Sequence, residues 1–238
     1  GNSAATNLAV LVNDFASVDA GPDRSVCQGG SVNINALFGG VAASATWSSS
    51  AGGTFSATTV TKLSPGTTYT PAISSGTVTL TLTSNDPTGS CAANVNEMII
   101  TVKPTPTASI SGSTTICDGG NASISFSGTP LTEVTFTVNS GANQTIQLDA
   151  AGNASLNTGS LSANTTFDLV STKYIDAPSC TNAASGSVTI TVNPLVVVNA
   201  GLPQTVCANG SITLNGSITG GINTGTWSAP SGSFSNAS

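Results

Sequence analysis

Cys27, Cys117 and Cys207 stand 90 residues apart, twice in succession, each inside a similar phrase: SVCQGG, TICDGG and TVCANG. A spacing held that strictly marks tandem duplication of one structural unit, so the 238 residues are an array and not a single domain. The register holds at a second place, because TVKP at 101–104 recurs as TVNP at 191–194; the last strand and the linker of each unit repeat too. The expected units are therefore 18–103 and 104–193, with 194–238 the first half of a third. NLAVLVND at 7–14 lies 90 residues before EMIITVK and reads as the closing strand of a preceding repeat, which assigns it 1–17. The chain is expected to be a slice of something longer, with targeting and anchoring signals outside it.

Within the first unit, period-two runs occur at SVNIN (31–35), ATWSS (45–49), GTFSA (53–57), TTYTP (67–71), TVTLTLTS (77–84) and EMIITV (97–102). Each is short, rich in β-branched or aromatic residues, and bounded by Gly, Pro, Asn or Ser, which is the pattern of half-buried strands. The second unit repeats the theme with ASISFSG, EVTFTVN, QTIQLDA, TTFDLVSTKY and SVTITV. No stretch carries an apolar stripe at helical spacing. The expected fold is all-β: tandem immunoglobulin-like β-sandwiches arranged as beads on a string or as a rod. Trp47 in ATWSS and Trp227 in GTWSA are 180 residues apart, two units, while the intervening position holds Thr137, so the units alternate in subtype. Both tryptophans are expected to be core anchors.

Charged residues make up 6% of the chain, against about 25% in an ordinary soluble domain. Four Lys or Arg against ten Asp or Glu, a net charge of -6, leave no basic cluster to neutralise phosphates, so nucleic acid is not an expected partner. No apolar run approaches the roughly 20 residues of a membrane helix. The absence of His removes a Ser-His-Asp triad and imidazole zinc sites, and the acids are scattered without a recurring pair, so neither catalysis nor a cofactor is expected. Periodic cysteines fit an oxidising exterior, and the expected location is the outer cell surface or beyond it.

Two cysteine pairings are open. Within units, Cys27 would join Cys91 and Cys117 would join Cys180, each bridge worth about 4 kcal/mol in the chain-entropy model. In a standard sandwich, however, the first turn and the loop before the last strand lie at opposite ends. Strand residues at about 3.3 Å each would then separate those cysteines by some 20 Å, whereas a disulfide tolerates Cα separations of about 4.4–6.8 Å. Head-to-tail units would instead bring Cys27 to Cys180 across the joint and stiffen the array, leaving Cys91 and Cys117 to other repeats.

Weaker signals have simpler readings. Asp86 in SNDP, with Asn85, and Asp176 in YIDAP are weak Ca²⁺ candidates, although a turn-forming Asp is the commoner use; Asp19 and Asp23 invite the same comparison. Seven N-x-S/T triplets occur, as a chain rich in Asn, Ser and Thr supplies by chance. Lys62, Lys103 and Lys173 have the chemistry for isopeptide bonds, but nothing in their context distinguishes them from solvated lysines.

VDAGPDRSVCQGGSVNINA with ATWSSSAGGTFSA and GTVTLTLTSNDPTGSC resembles the PKD-like and immunoglobulin-like repeats of very large Bacteroidota surface and secreted proteins. TICDGGNASISFSGTP with TTFDLVS is similar to a companion repeat of the same proteins. The resemblance implies export, long multi-domain stalks, and roles in adhesion, gliding or filaments, with neighbouring repeats as partners and surface glycans as a second partner class. Two alternatives accompany the stalk: a carbohydrate-binding array beside a secreted hydrolase, which would need exposed aromatics such as Tyr69 and Tyr174, and a filament subunit that donates an N-terminal strand.

Overall fold

A computed structural model describes residues 14–85 and 91–235. The described chain is all-β, and it divides into two compact units. The first extends to Pro106 and also takes in Lys173–Asn182; the second holds Thr107–Thr172 and the chain from Ala183 onward.

The strands of the first unit are β1 (Ala16–Asp19), β2 (Arg24–Cys27), β3 (Val32–Asn35), β4 (Leu37–Gly40), β5 (Ser44–Ser49), β6 (Thr54–Phe55), β7 (Thr59–Thr61), β8 (Gly66–Thr70), β9 (Gly76–Ser84) and β10 (Val95–Lys103). One sheet has the order β2-β10-β9-β5-β7, a second the order β3-β8-β6, and β1 pairs with β4. The alternation read from the sequence decides what is buried: Val78, Leu80 and Leu82 of β9 and Met98, Ile100 and Val102 of β10 face inward, while their Thr and Glu neighbours face out. Trp47 lies opposite Leu82 and is 2% exposed. The chain crosses from the β1–β4 pair to the other sheet at AGPD. There Asp19 Oδ1 accepts from Gly21 N at 2.8 Å, and Asp23 Oδ1 accepts from Ile99 N at 2.8 Å. Both acids considered for Ca²⁺ at this place are backbone caps.

The remaining strands are β11 (Ala108–Ser111), β12 (Thr114–Cys117), β13 (Ser123–Gly128), β14 (Thr132–Val138), β15 (Gln144–Gln147), β16 (Asn153–Asn157), β17 (Thr165–Tyr174), β18 (Thr181–Ala183), β19 (Ser187–Asn193), β20 (Val197–Asn199) and β21 (Ser217–Thr219). They form the sheets β11-β13-β16 and β12-β19-β17-β14-β15, with β18 on β17, and the hairpin β20-β21. The core here is a phenylalanine chain, Phe126 to Phe136 at 5.1 Å and Phe136 to Phe167 at 6.4 Å between ring centroids. Phe136, beside Thr137, is the buried aromatic on the strand where the first unit has Trp47.

The duplication extends to hydrogen-bond register. Val18↔Phe38, Ala108↔Gly128 and Val198↔Ile218 are the same rung, displaced by 90 residues each time. So are Cys27↔Lys103 and Cys117↔Asn193, where β2 runs parallel to β10 and β12 parallel to β19. Beyond Pro194 only β20 and β21 form among the described residues, and Val197 and Val198 stay 53% and 68% exposed. Trp227, expected in a core, is half-buried in an open pocket of about 330 Å³ with Ile218 and Ile222. The physical reason is that no described strand covers the apolar side of this hairpin as β9 and β10 cover theirs in the first unit.

Candidate functional site

Each cysteine phrase folds into the same turn. Gly30 N donates to Cys27 O, Gly120 N to Cys117 O and Gly210 N to Cys207 O, all at 2.9 Å. The third residue has positive φ every time: +74° at Gly29, +80° at Gly119 and 63° at Asn209. Glycine and asparagine are the residues that tolerate that region. The fourth residue is glycine for a different reason, since a Cβ there would stand 3.0, 2.9 and 3.0 Å from the cysteine carbonyl oxygen of its own turn. The phrase C-x-(Gly/Asn)-Gly is thus a turn specification, and in the first two copies it holds a cysteine at the end of a short parallel strand.

In the first compact unit this turn meets the segment Lys173–Asn182. Cys27 and Cys180 form a disulfide with Cα atoms 5.5 Å apart, closing a sequence separation of 153 residues. The loop carrying Cys180 is shaped by Cys180 N donating to Pro178 O at 2.8 Å and Tyr174 N donating to Cys180 O at 3.1 Å. Lys103, the rung partner of Cys27, reaches the same loop. Its Nζ donates to Asp176 Oδ2 and to Ala177 O, both at 2.8 Å, and stands 5.1 Å from the centre of the Tyr174 ring. Gln28 Oε1 accepts from Thr105 N at 3.2 Å, and Asn182 Nδ2 donates to Pro106 O at 3.0 Å. A covalent bond, an ion pair, a cation–π contact and backbone capping converge within a few residues.

The electrostatics follow from this geometry. The hydrogen bond from Lys103 holds the Asp176 carboxyl below its usual range. Burial pushes the Tyr174 phenol up, and the nearby Asp176 charge adds to the rise.

The within-unit pairing is corrected. Cys27 sits at the Lys103 end of β10, whereas Cys91 precedes Val95 at the other end of that strand. Eight further strand residues at about 3.3 Å each, roughly 26 Å, separate the two ends. Cys180 is bonded to Cys27 and is therefore not bonded to Cys117, which with Cys207 carries an exposed free thiol. Asp176, a Ca²⁺ candidate, gives its carboxylate to Lys103. Asp86 lies outside the described residues; Asn85, its suggested companion, accepts from Ala43 N and Ser44 N at 3.0 and 3.1 Å. No group of three or more His, Cys, Asp or Glu suited to a metal occurs among the described residues. Lys103, on sequence alone indistinguishable from a solvated lysine, has a side chain only 16% exposed. The signal for it was present: TVKP and TVNP differ at this one position of the repeated phrase.

No family model matches this sequence, and no curated protein matches it either. Solved structures with a similar backbone course include one described as a 1.5-MDa bacterial ice-binding adhesin, at 17% identity and TM-score 0.42, covering 79% of this chain and 69% of the other. A marsupial T cell receptor follows at 11% identity and TM-score 0.47, covering 79% and 78%. The Yersinia pseudotuberculosis adhesin InvE is similar at 14% identity and TM-score 0.32, covering 75% and 58%.

Proposed function

We propose that this chain is a non-catalytic stalk segment of an exported bacterial surface protein, working under tension as a spacer between an anchor and an adhesive tip. The observation that carries the reading is the Cys27–Cys180 bond. When the chain is pulled from its two ends, tension arriving at Cys27 passes through the disulfide to Cys180 and bypasses everything between them. The bypassed stretch, a separation of 153 residues, includes β3 to β17 and most of both hydrophobic cores. A catalyst or a solution-phase binding module gains nothing from such a shunt; a tether does. Low charge and Ser- and Thr-rich outer faces suit a long surface that avoids nonspecific electrostatic capture. The resemblance to repeats of giant Bacteroidota surface proteins belongs to this proposal, as do the extracellular location and the partnership with neighbouring repeats.

The carbohydrate-binding alternative loses one of its aromatics, because Tyr69 is 0% exposed and donates to Gly52 O inside the first core. The strand-donation alternative rests on residues 1–17, of which 1–13 lie outside the described residues.

Single-molecule pulling tests the shunt. A separation of 153 residues at about 3.3–3.6 Å each is roughly 500 Å of contour length. The oxidised chain is expected to withhold that length and the reduced chain to release it; equal release in both states removes the mechanical reading. On the native cell, antibody against the chain is expected to label unpermeabilised cells, and labelling confined to permeabilised cells removes the surface assignment.

A further inference from the structure

We propose that the Lys62–Leu63 peptide bond is a processing site for lysine-directed endoproteases, and that the Cys27–Cys180 disulfide keeps the cut chain in one covalent piece. Neither statement rests on the stalk reading; only the use made of them does. The chain has four basic residues, Arg24, Lys62, Lys103 and Lys173. Three of them are poor substrates for an enzyme that cuts after Lys or Arg. Arg24 lies in β2, held along β10 at the rung Ile100↔Arg24. Lys103 is followed by Pro104, whose ring and missing N–H do not fit the cleft of such an enzyme. Lys173 lies in β17 beside Tyr174, whose N–H donates to Cys180 O, so the disulfide ties this arm down.

Lys62 is the exception. It stands exposed in the turn between β7 and β8, and Leu63 after it is 98% exposed. The turn is closed by Thr61 N donating to Ser64 O at 3.2 Å and Ser64 N donating to Thr61 O at 3.0 Å, while Lys62 N donates to Ala43 O at 3.0 Å. A protease cleft takes its substrate extended, so these bonds open before the cut. Opening costs little at this place. β7 is a three-residue strand at the edge of its sheet, paired to β5, and Val60 is its one buried side chain. When β7 peels away, β5 keeps its ladder to β9 and the rest of the sheet stands.

The step is hydrolysis. Water adds across the Lys62–Leu63 amide, its hydroxyl going to the Lys62 carbonyl carbon and its proton to the Leu63 nitrogen, which leaves a new carboxylate and a new ammonium. The cut lies between Cys27 and Cys180 in sequence, so residues 1–62 and 63–238 stay joined through sulfur. They also stay paired, because the ladders β5–β9, β2–β10, β3–β8 and β6–β8 each join a strand before the cut to one after it. In a stalk under tension, load passes from Cys27 to Cys180 and never reaches the cut. A tether among secreted proteases thus keeps its continuity after being nicked at its most accessible basic residue.

The test is limited digestion of the full oxidised chain, with the exposed thiols of Cys117 and Cys207 first blocked by iodoacetamide so that disulfides do not exchange. Trypsin or lysyl endopeptidase is added in trace amount and the digest is stopped in acid. Products are run on denaturing gels with and without reductant and identified by mass spectrometry. The first cut is expected after Lys62, about tenfold or more faster than at any other site. Without reductant the band is expected to stay at full size, and with reductant to become 1–62 and 63–238. Lys62→Gln is expected to slow the first cut about tenfold or more. Lys62→Arg keeps the charge and separates the two enzymes: trypsin still cuts there and lysyl endopeptidase does not. Val60→Ala, which loosens β7, is expected to speed the cut about threefold or more. A first cut after Arg24 or Lys173, or a Lys62→Gln chain digested at the native rate, overturns the site. A rate that Val60→Ala leaves unchanged overturns the peeling of β7, and fragments that part without reductant overturn the covalent retention. None of these results bears on the stalk reading, which stands or falls on pulling and cell labelling.

Discussion

At the scale of single residues, the contacts around Cys180 make pH a direct probe. Asp176 has its folded pKa lowered by the Lys103 hydrogen bond. Its contribution is therefore present in full above the ordinary carboxylate value of about 4 and is lost as pH falls through the lowered folded value. Denaturation midpoints of the native chain and Asp176→Asn are expected to differ at neutral pH and converge in acid; a constant difference down to pH ~2 would contradict the assignment. Tyr174 has the opposite sense, because burial raises its folded pKa and its contribution is lost as pH rises beyond about 10. Trp47 offers a second probe. Its ring is buried, but its Nε1 has no hydrogen-bond partner among the described residues. Trp47→Ala is expected to cost about 3–5 kcal/mol. Trp47→Phe is expected to cost less than half as much, since it also removes a donor that is buried without a partner. Urea unfolding of the two variants checks the ranking.

At the scale of elements, the cysteine turn separates two demands that a run of glycines conceals. Gly29 has positive φ and open space around its missing Cβ, while Gly30 would place a Cβ 3.0 Å from Cys27 O and 3.1 Å from Val26 Cγ2. Gly29→Asn is expected to cost about 1 kcal/mol or less, as Asn209 fills the same place in the third turn, whereas Gly29→Val costs about 2. Gly30→Ala is expected to cost about 1–3 kcal/mol through the clash. Chemical denaturation that finds Gly30→Ala milder than Gly29→Asn would contradict this division. The longer strands were legible in the sequence: the runs at ATWSS, TVTLTLTS and EMIITV became β5, β9 and β10, because alternation over several residues is a local signal, and SVNIN became the shorter β3. The four-residue strands β1, β2 and β4 and their counterparts β11 and β12 were not. β2, β11 and β12 exist because a longer strand, β10, β13 or β19, supplies their hydrogen bonds, and β1 and β4 because each supplies the other's.

At the scale of the whole molecule, the disulfide closes a sequence separation of 153 residues, for which the chain-entropy account gives about 5 kcal/mol. Cys27→Ser with Cys180→Ser is expected to lower the guanidinium midpoint of the first compact unit, and reduction of the native chain is expected to do the same; a midpoint indifferent to both would show that the bond constrains nothing. The array itself was determined by the sequence alone. A 90-residue period, alternating strands, and a turn that requires glycine or asparagine and then glycine are local properties, and each copy carries its own record of them. Only the tertiary structure decided which cysteine meets which and what Lys103 is for. Those choices join residues more than 70 positions apart, and their partners are fixed by the sheet that delivers them to one place; locally the sequence marks only that Lys103 departs from the repeated TVNP phrase.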